Sequence, residues 1–296
     1  MQIQTNLQQQ RSLEEEFTSL EVIYEEKHQL AWYYIKPYPR QCCTPELIND
    51  IQNWYSQILN SPLQEKKYEY IVIASKEKGI FNLGGDLNLF SRLIKNRDRD
   101  RLLGYALSCI NTLYLNHTSL GKDVTTISLV QGDALGGGME FAISSNILIA
   151  EKSAKMGMPE ILFNLFPGMG AYSLLSRKIG AIQAEKIILS GKLYTADEMF
   201  ELGVVDILVE DGEGKKAVYD YIKSENRARN GIQAFRKAKK CTDSVTYDEL
   251  EKVTNIWVDA ALKLNDRDLR MMERLVKRQT VKFPIPTEVM IPGNIP

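Results

Sequence analysis

Histidine is nearly missing from this 296-residue sequence, which has only His28 and His117. That scarcity speaks against a Ser-His-Asp triad or a His-rich metal centre. Cysteine is also sparse, and Cys42, Cys43, Cys109 and Cys241 lack the paired spacing of a zinc site or a disulfide framework. They read as reduced thiols of a cytoplasmic protein. No charge excess exists, since 37 Lys plus Arg face 38 Asp plus Glu, so a chain devoted to coating nucleic acid or anionic membrane is excluded. No run reaches the roughly 20 apolar residues of a membrane span. Residues 1–17 are polar and Gln/Glu-rich, without the apolar core of a signal peptide. The expectation is therefore a soluble, cytoplasmic protein with no nucleic-acid partner and no membrane insertion. What is present is ordinary for a globular protein: 44% hydrophobic and 25% charged residues.

Two β-prone runs, 20–24 (LEVIY) and 29–35 (QLAWYYI), predict an opening hairpin. Thr44 and Pro45 then mark a helix start, with Leu47, Ile48, Ile51, Trp54, Tyr55 and Ile58 at helical spacing. The run 68–74 (YEYIVIA) is the strongest strand signal, and it leads into a glycine-bearing turn, 79–86, that opens a helix at Leu87. After a helix over about 100–115 the same unit returns: strand 126–130, glycine turn 132–138, helix 138–145. A strand at 146–150, helices at 172–179, 182–189 and 196–202, and a strand at 204–209 follow, and most of 215–278 reads as helix. The segment 283–296, with four prolines, is expected to be an extended or disordered tail. This organisation predicts an α/β core over 1–210, a C-terminal helical region over 211–282, and the tail.

Glycine turns beside helix starts can bind phosphate, but 132–138 lacks the Lys-Ser/Thr of a P-loop and the G-x-G-x-x-G of a dinucleotide site. The same peptide N–H groups, converging from two turns, can instead form an oxyanion hole; Gly85 and Gly137 are the candidates. Nearby stand two acids in apolar settings, Glu140 (GGGMEFAI) and Glu160 (GMPEILF). Apolar surroundings raise a carboxyl pKa, and two carboxyls sharing a site push their proton affinities apart, which suits acid–base chemistry. Taken singly, a glycine triplet also serves tight packing, and Glu140 also suits a helix start.

Three strings in order, FNLGGDL (81–87), VQGDALGGGME (130–140) and MPEILFNLFPGMGA (158–171), resemble the crotonase (enoyl-CoA hydratase/isomerase) superfamily, as does LSGKLYTADEMFELGVVDILV (189–209). The sequence is most similar to the branch of diffusible signal factor synthases, through FNLGGDL, LFPGMGAYS (165–173), IWVDAALKL (256–264) and RMMERLVKRQ (270–279). This resemblance implies an α/β crotonase fold, a repeated ββα spiral with a C-terminal helical subdomain. It places oxyanion donors at Gly85 and Gly137 and acid–base groups at Glu140 and Glu160, and it implies no cofactor. It further implies a 3-hydroxyacyl-acyl carrier protein dehydratase and thioesterase that makes a cis-2-enoic acid signal, with Glu160 taking the C2 proton and Glu140 releasing the 3-hydroxyl. An enoyl-CoA hydratase and a non-catalytic sensor-binding protein are the alternatives. Gly136, Leu135, Met169, Trp257 and Leu275 are expected around the substrate. Implied partners are the acyl carrier protein, the signal's sensor and two further copies in a homotrimer. Two basic runs could meet an acidic carrier: Arg92, Lys95, Arg97, Arg99 and Arg101, and Arg227, Arg229, Arg236, Lys237, Lys239 and Lys240.

Overall fold

A computed structural model of the chain describes residues 17–36, 39–60 and 68–279. The expected tail at 283–296 lies outside the described residues, as does the polar segment before Phe17. The chain begins with the antiparallel hairpin β1 (Leu20–Glu25) and β2 (Leu30–Ile35), then α1 (Pro45–Asn60). Thr44 caps α1 by accepting the Leu47 N–H at 3.2 Å, which supplies one of the partners that a helix start lacks.

A repeated unit follows. β3 (Tyr70–Ser75) and β4 (Gly79–Asn82) lead to α2 (Leu87–Lys95) and α3 (Arg99–His117). β5 (Thr125–Val130) and β6 (Gly132–Leu135) lead to α4 (Gly137–Ile143), and β7 (Ile147–Glu151) and β8 (Lys155–Gly157) lead to a 3-10 turn, Pro159–Phe163. Each repeat deposits one strand in each of two sheets, ordered β1-β2-β3-β5-β7-β10 and β4-β6-β8-β9. β3, β5 and β7 pair in parallel, as do β4, β6 and β8. The chain continues through α5 (Ala171–Ile179), α6 (Ala181–Ser190), β9 (Leu193–Thr195), α7 (Ala196–Glu201) and β10 (Ile207–Val209). It ends in α8 (Gly214–Arg227), α9 (Arg229–Thr242), α10 (Tyr247–Ala261) and α11 (Asp266–Gln279). This is the α/β crotonase fold with a helical C-terminal region.

The second strand of each repeat corrects the reading of 79–86 and 132–138 as plain turns. A Cβ on Gly132 would stand 2.0 Å from the Gly79 carbonyl carbon, so this glycine permits two strand backbones to touch and does not mark a turn. The strand expected at 204–209 shortens to Ile207–Val209, while Val204 and Val205 enter the core.

Two apolar clusters matter for the site. One lies between the sheets and α1, α4 and α5, and includes Tyr33, Trp54, Tyr55, Phe81 and Met139. The second joins α2 and α3 to α10 and α11 through Leu87, Phe90, Leu102, Trp257, Val258 and Met272. The cavity described next opens between them.

Candidate active site

A cavity of about 460 Å³ is lined by Leu135, Gly136, Gly137, Glu140, Glu160, Met169, Gly85, Trp257 and Leu275, so the structure brings together all nine residues singled out from the sequence. Carbon from Ile80, Leu87, Phe90, Leu162 and Leu193 completes much of the lining. Its volume suits a small-molecule ligand.

The two glycine turns meet at one edge of this cavity. A Cβ on Gly137 would lie 3.3 Å from the Gly85 nitrogen, and one on Gly84 would lie 3.2 Å from the Gly137 nitrogen. Each peptide is oriented through its own carbonyl. The Gly84 oxygen accepts the Cys43 N–H at 2.7 Å and the Gly136 oxygen accepts the Glu140 N–H at 2.9 Å. Because a trans peptide is planar, fixing a carbonyl aims the N–H of the next residue the opposite way. The Gly137 N–H is also the first of α4, a position with no partner inside the helix.

Glu140 is buried on the cavity wall, and Glu160 stands half-buried on the same wall with its Oε2 shut from solvent. Gly136 permits their closeness: it adopts φ 50°, and a Cβ there would stand 2.2 Å from Glu160 Oε1. The two carboxyls are held differently. Glu140 Oε1 accepts the N–H groups of Met169 at 2.8 Å and Ala171 at 2.9 Å, at the start of α5, where the helix dipole favours negative charge. Glu160 Oε2 has no hydrogen-bond partner among the described residues. Burial raises both pKa values, to about 7 for Glu140, where the backbone N–H groups oppose the rise, and to about 8 for Glu160, where the Glu140 charge adds to it. Because two backbone N–H groups stabilise the Glu140 carboxylate and Glu160 Oε2 has no donor among the described residues, a singly protonated pair holds its proton on Glu160. Cys109 also lines the cavity, but burial pushes its thiol up to about 12, so it stays protonated and is no nucleophile. No Ser, Thr or His lines the cavity among the described residues.

Sequence reasoning missed three parts of this arrangement. The N–H cradle for Glu140 carried one available signal, Gly170 directly before an apolar-periodic helix. Tyr105 and Asp133 line the cavity without any local signature. Most cations of the basic runs have nearer tasks: Lys95 pairs with Glu273, Arg99 with Asp259 and Arg101 with Asp98. Arg229 and Arg236 meet buried Glu225, and Lys237 meets Asp123.

A family model described as enoyl-CoA hydratase/isomerase matches residues 43–274. The chain belongs to the enoyl-CoA hydratase/isomerase family. It is 31% identical over 168 residues to the fatty acid oxidation complex subunit alpha of Pseudomonas syringae pv. tomato, covering 57% of this chain and 23% of that protein. It is 27% identical over 210 residues to the probable mitochondrial enoyl-CoA hydratase 2 of Arabidopsis thaliana, covering 70% of this chain and 65% of the relative. The chain thus spans about a quarter of the first relative and under two thirds of the second. The enoyl-CoA hydratase of Bacillus halodurans superposes with a TM-score of 0.75 at 20% identity, covering 87% of this chain and all of that one. Pseudomonas aeruginosa DspI superposes with a TM-score of 0.65 at 21% identity over 90% and 98% of the two chains. At such identities the likeness carries the fold. Among the described residues, no helix of this family member is long and apolar enough to cross a membrane.

Proposed function

We propose that this enzyme removes water from a 3-hydroxyacyl thioester carried by an acyl carrier protein and then hydrolyses the thioester to release a cis-2-enoic acid. The observation that carries the reading is the pairing of buried Glu140 with half-buried Glu160 on the wall of an apolar cavity where the Gly85 and Gly137 amides converge. A C2 proton becomes removable when the enolate oxygen is held, and each peptide donor can contribute on the order of 3 kcal/mol to that. Glu160, with an oxygen that has no hydrogen-bond partner among the described residues, takes the C2 proton. Glu140 then gives its proton to the departing 3-hydroxyl. For release, the same two amides hold the tetrahedral oxyanion while Glu140, kept in place by Met169 and Ala171, takes a proton from the attacking water. Collapse of the intermediate breaks the C–S bond, and the departing carrier thiolate takes from Glu160 the proton that came from C2, which returns both carboxyls to their starting states. This route needs no covalent acyl-enzyme, in keeping with a protonated Cys109.

One observation favours a second reading. The resting pair holds its proton on Glu160, the arrangement required to protonate C2 while Glu140 deprotonates water. That is hydration of a 2-enoyl thioester, the reverse of the first step. The deciding experiment offers the purified protein 3-hydroxydodecanoyl-acyl carrier protein and, separately, trans-2-dodecenoyl-CoA, with lipid products read by mass spectrometry. Free cis-2-dodecenoic acid from the first is the expected outcome. Reversible hydration of the second with no free acid from either would replace the proposal with the hydratase reading.

A further inference from the structure

We propose that Tyr105 of α3 is a positioning residue for the oxyanion hole, fixing the direction of the Gly85 amide through Cys43 and Asp86; the inference rests on the reading of Gly85 given above. The peptide groups on either side of Gly85 are tied to the same place. The Gly84 carbonyl, on one side, accepts the Cys43 N–H at 2.7 Å. The Asp86 N–H, on the other, donates to the Tyr105 hydroxyl at 3.3 Å, and that hydroxyl donates to the Cys43 carbonyl. One hydroxyl has a proton to give and lone pairs to receive, so it closes the ring from Asp86 to Cys43 with no polar group left over. Cys43 and Gly85 form an isolated parallel bridge at this point.

The tie matters because Gly85 cannot hold itself. Without a Cβ, its two dihedral angles are restrained only by what its flanking peptides bond. Cys43 fixes one flank through its own N–H, and on the other flank the Tyr105 hydroxyl reinforces the parallel bridge by joining the Asp86 N–H to the Cys43 carbonyl. The ring of Tyr105 is itself held, edge-on to Phe90 at 5.4 Å, and Phe90 fills the space under Gly85, where a Cβ would meet its ring at 2.6 Å. On the far side of the turn, Asp86 caps α2 through Leu89 N–H at 3.1 Å and pairs with Arg40. Burial raises the Tyr105 pKa well above its ordinary range, so the phenol stays protonated and the bond to Cys43 persists at any working pH.

The test compares wild type with Tyr105→Phe, which keeps the ring against Phe90 and removes only the hydroxyl. The probe is a dodecanoyl-pantetheine analogue with CH2 in place of sulfur and a 13C-labelled carbonyl, which cannot be hydrolysed. In wild type the bound carbonyl should stretch at lower frequency than in water. In Tyr105→Phe about half of that shift should be lost. Turnover of 3-hydroxydodecanoyl-acyl carrier protein should show kcat lowered about 30-fold, with KM within about twofold. Incorporation of 4-aminophenylalanine at position 105, which restores a donor, should recover most of both, and it also serves as the comparison with wild type should the Phe protein not fold. A full wild-type shift retained in the Phe protein, or, should that protein not fold, loss of half or more of the shift in the amino variant despite its restored donor, overturns the role of Tyr105. No shift in wild type itself overturns the oxyanion hole and this inference with it.

Discussion

One wall of the cavity is made of backbone: segments 84–86, 136–140 and 168–171 are tied by peptide hydrogen bonds of 2.7 to 3.3 Å, among them those of the Gly84 and Gly136 carbonyls and of the Asp86, Met169 and Ala171 N–H groups. The wall from α2, α10 and α11 is made of side-chain carbon, with Phe90 edge-on to Trp257 at 5.0 Å and Leu275 beyond. The first wall is specified by hydrogen bonds and by the absence of Cβ atoms, so it tolerates almost no change of shape. The second is specified by packing, which yields to substitution at a cost in stability. Chemistry and chain selection are thus carried by different kinds of structure in one pocket.

The sharpest way to break this contrast is to add one methyl group to the backbone wall. In Gly136→Ala the new Cβ would collide with Glu160 Oε1 at 2.2 Å, on a residue whose φ of 50° already disfavours a side chain. The expected result is a loss of turnover of at least about 10²-fold through a displaced carboxyl, measured by free-acid release, with far-ultraviolet dichroism unchanged. An active Gly136→Ala would show that the backbone wall is not tightly specified.

How much of each wall could be read from the sequence follows the same division. Glu140, Glu160 and the glycines sit in short strings whose resemblance to a family is strong, but nothing in their spacing says that positions twenty apart face one cavity. The folding of β6 and β8 side by side does that. Helices such as α1 and α3 were legible because burial repeats at helical spacing, as in Ile51, Trp54, Tyr55 and Ile58. β4, β6, β8 and β9 have three or four residues each, too few to show alternation, and two begin with a glycine that sequence rules assign to turns. The ion pairs of Lys95 with Glu273 and Arg99 with Asp259 could not be read from the run 92–101 because these partners lie more than 150 positions away. Tyr105 was invisible for the same reason, since the partners of its hydroxyl, Cys43 and Asp86, come from two separate segments.

On the side-chain wall, Trp257→Ala should act in the opposite sense to Gly136→Ala. Trp257 is 6% exposed and packs on Gly168, whose added Cβ would meet the indole at 2.3 Å. Its loss should cost about 3 kcal/mol of stability, seen as a melting temperature roughly 10 °C lower. The surviving folded protein should still convert substrate, with a product profile shifted toward longer or branched chains. Collapse of turnover without a change of profile would merge the two walls into one functional unit.

A smaller effect separates the two carboxyls on the backbone wall. The folded-state pKa of Glu160 is raised to about 8 from an ordinary 4.5, so the folded protein binds the proton more tightly than the unfolded chain. Its contribution to stability is then fully present below about pH 4.5 and is lost as pH rises through about 8. Glu160→Gln, which carries no charge to bury, should melt several degrees above wild type at pH 9 and at the same temperature at pH 5. Equal melting at both would mean that the Glu160 carboxylate finds compensation the structure does not provide.

Leu275→Ala should be the mildest change. Leu275 lies on α11, half-buried at the edge of the second apolar cluster and on the cavity lining, so truncation removes carbon that water can partly replace. The cost should be about 1 kcal/mol, below that of a fully buried leucine. The added space lies at the helical end of the pocket, away from the residues that hold the thioester. Turnover of 3-hydroxydodecanoyl-acyl carrier protein should therefore stay within about twofold of wild type, while competition between 12- and 14-carbon substrates should shift toward the longer chain. If competition were unmoved while the kcat of both fell together, Leu275 would act on the chemistry through α11, and the separation of a selecting wall from a reacting one would not extend to the last helix.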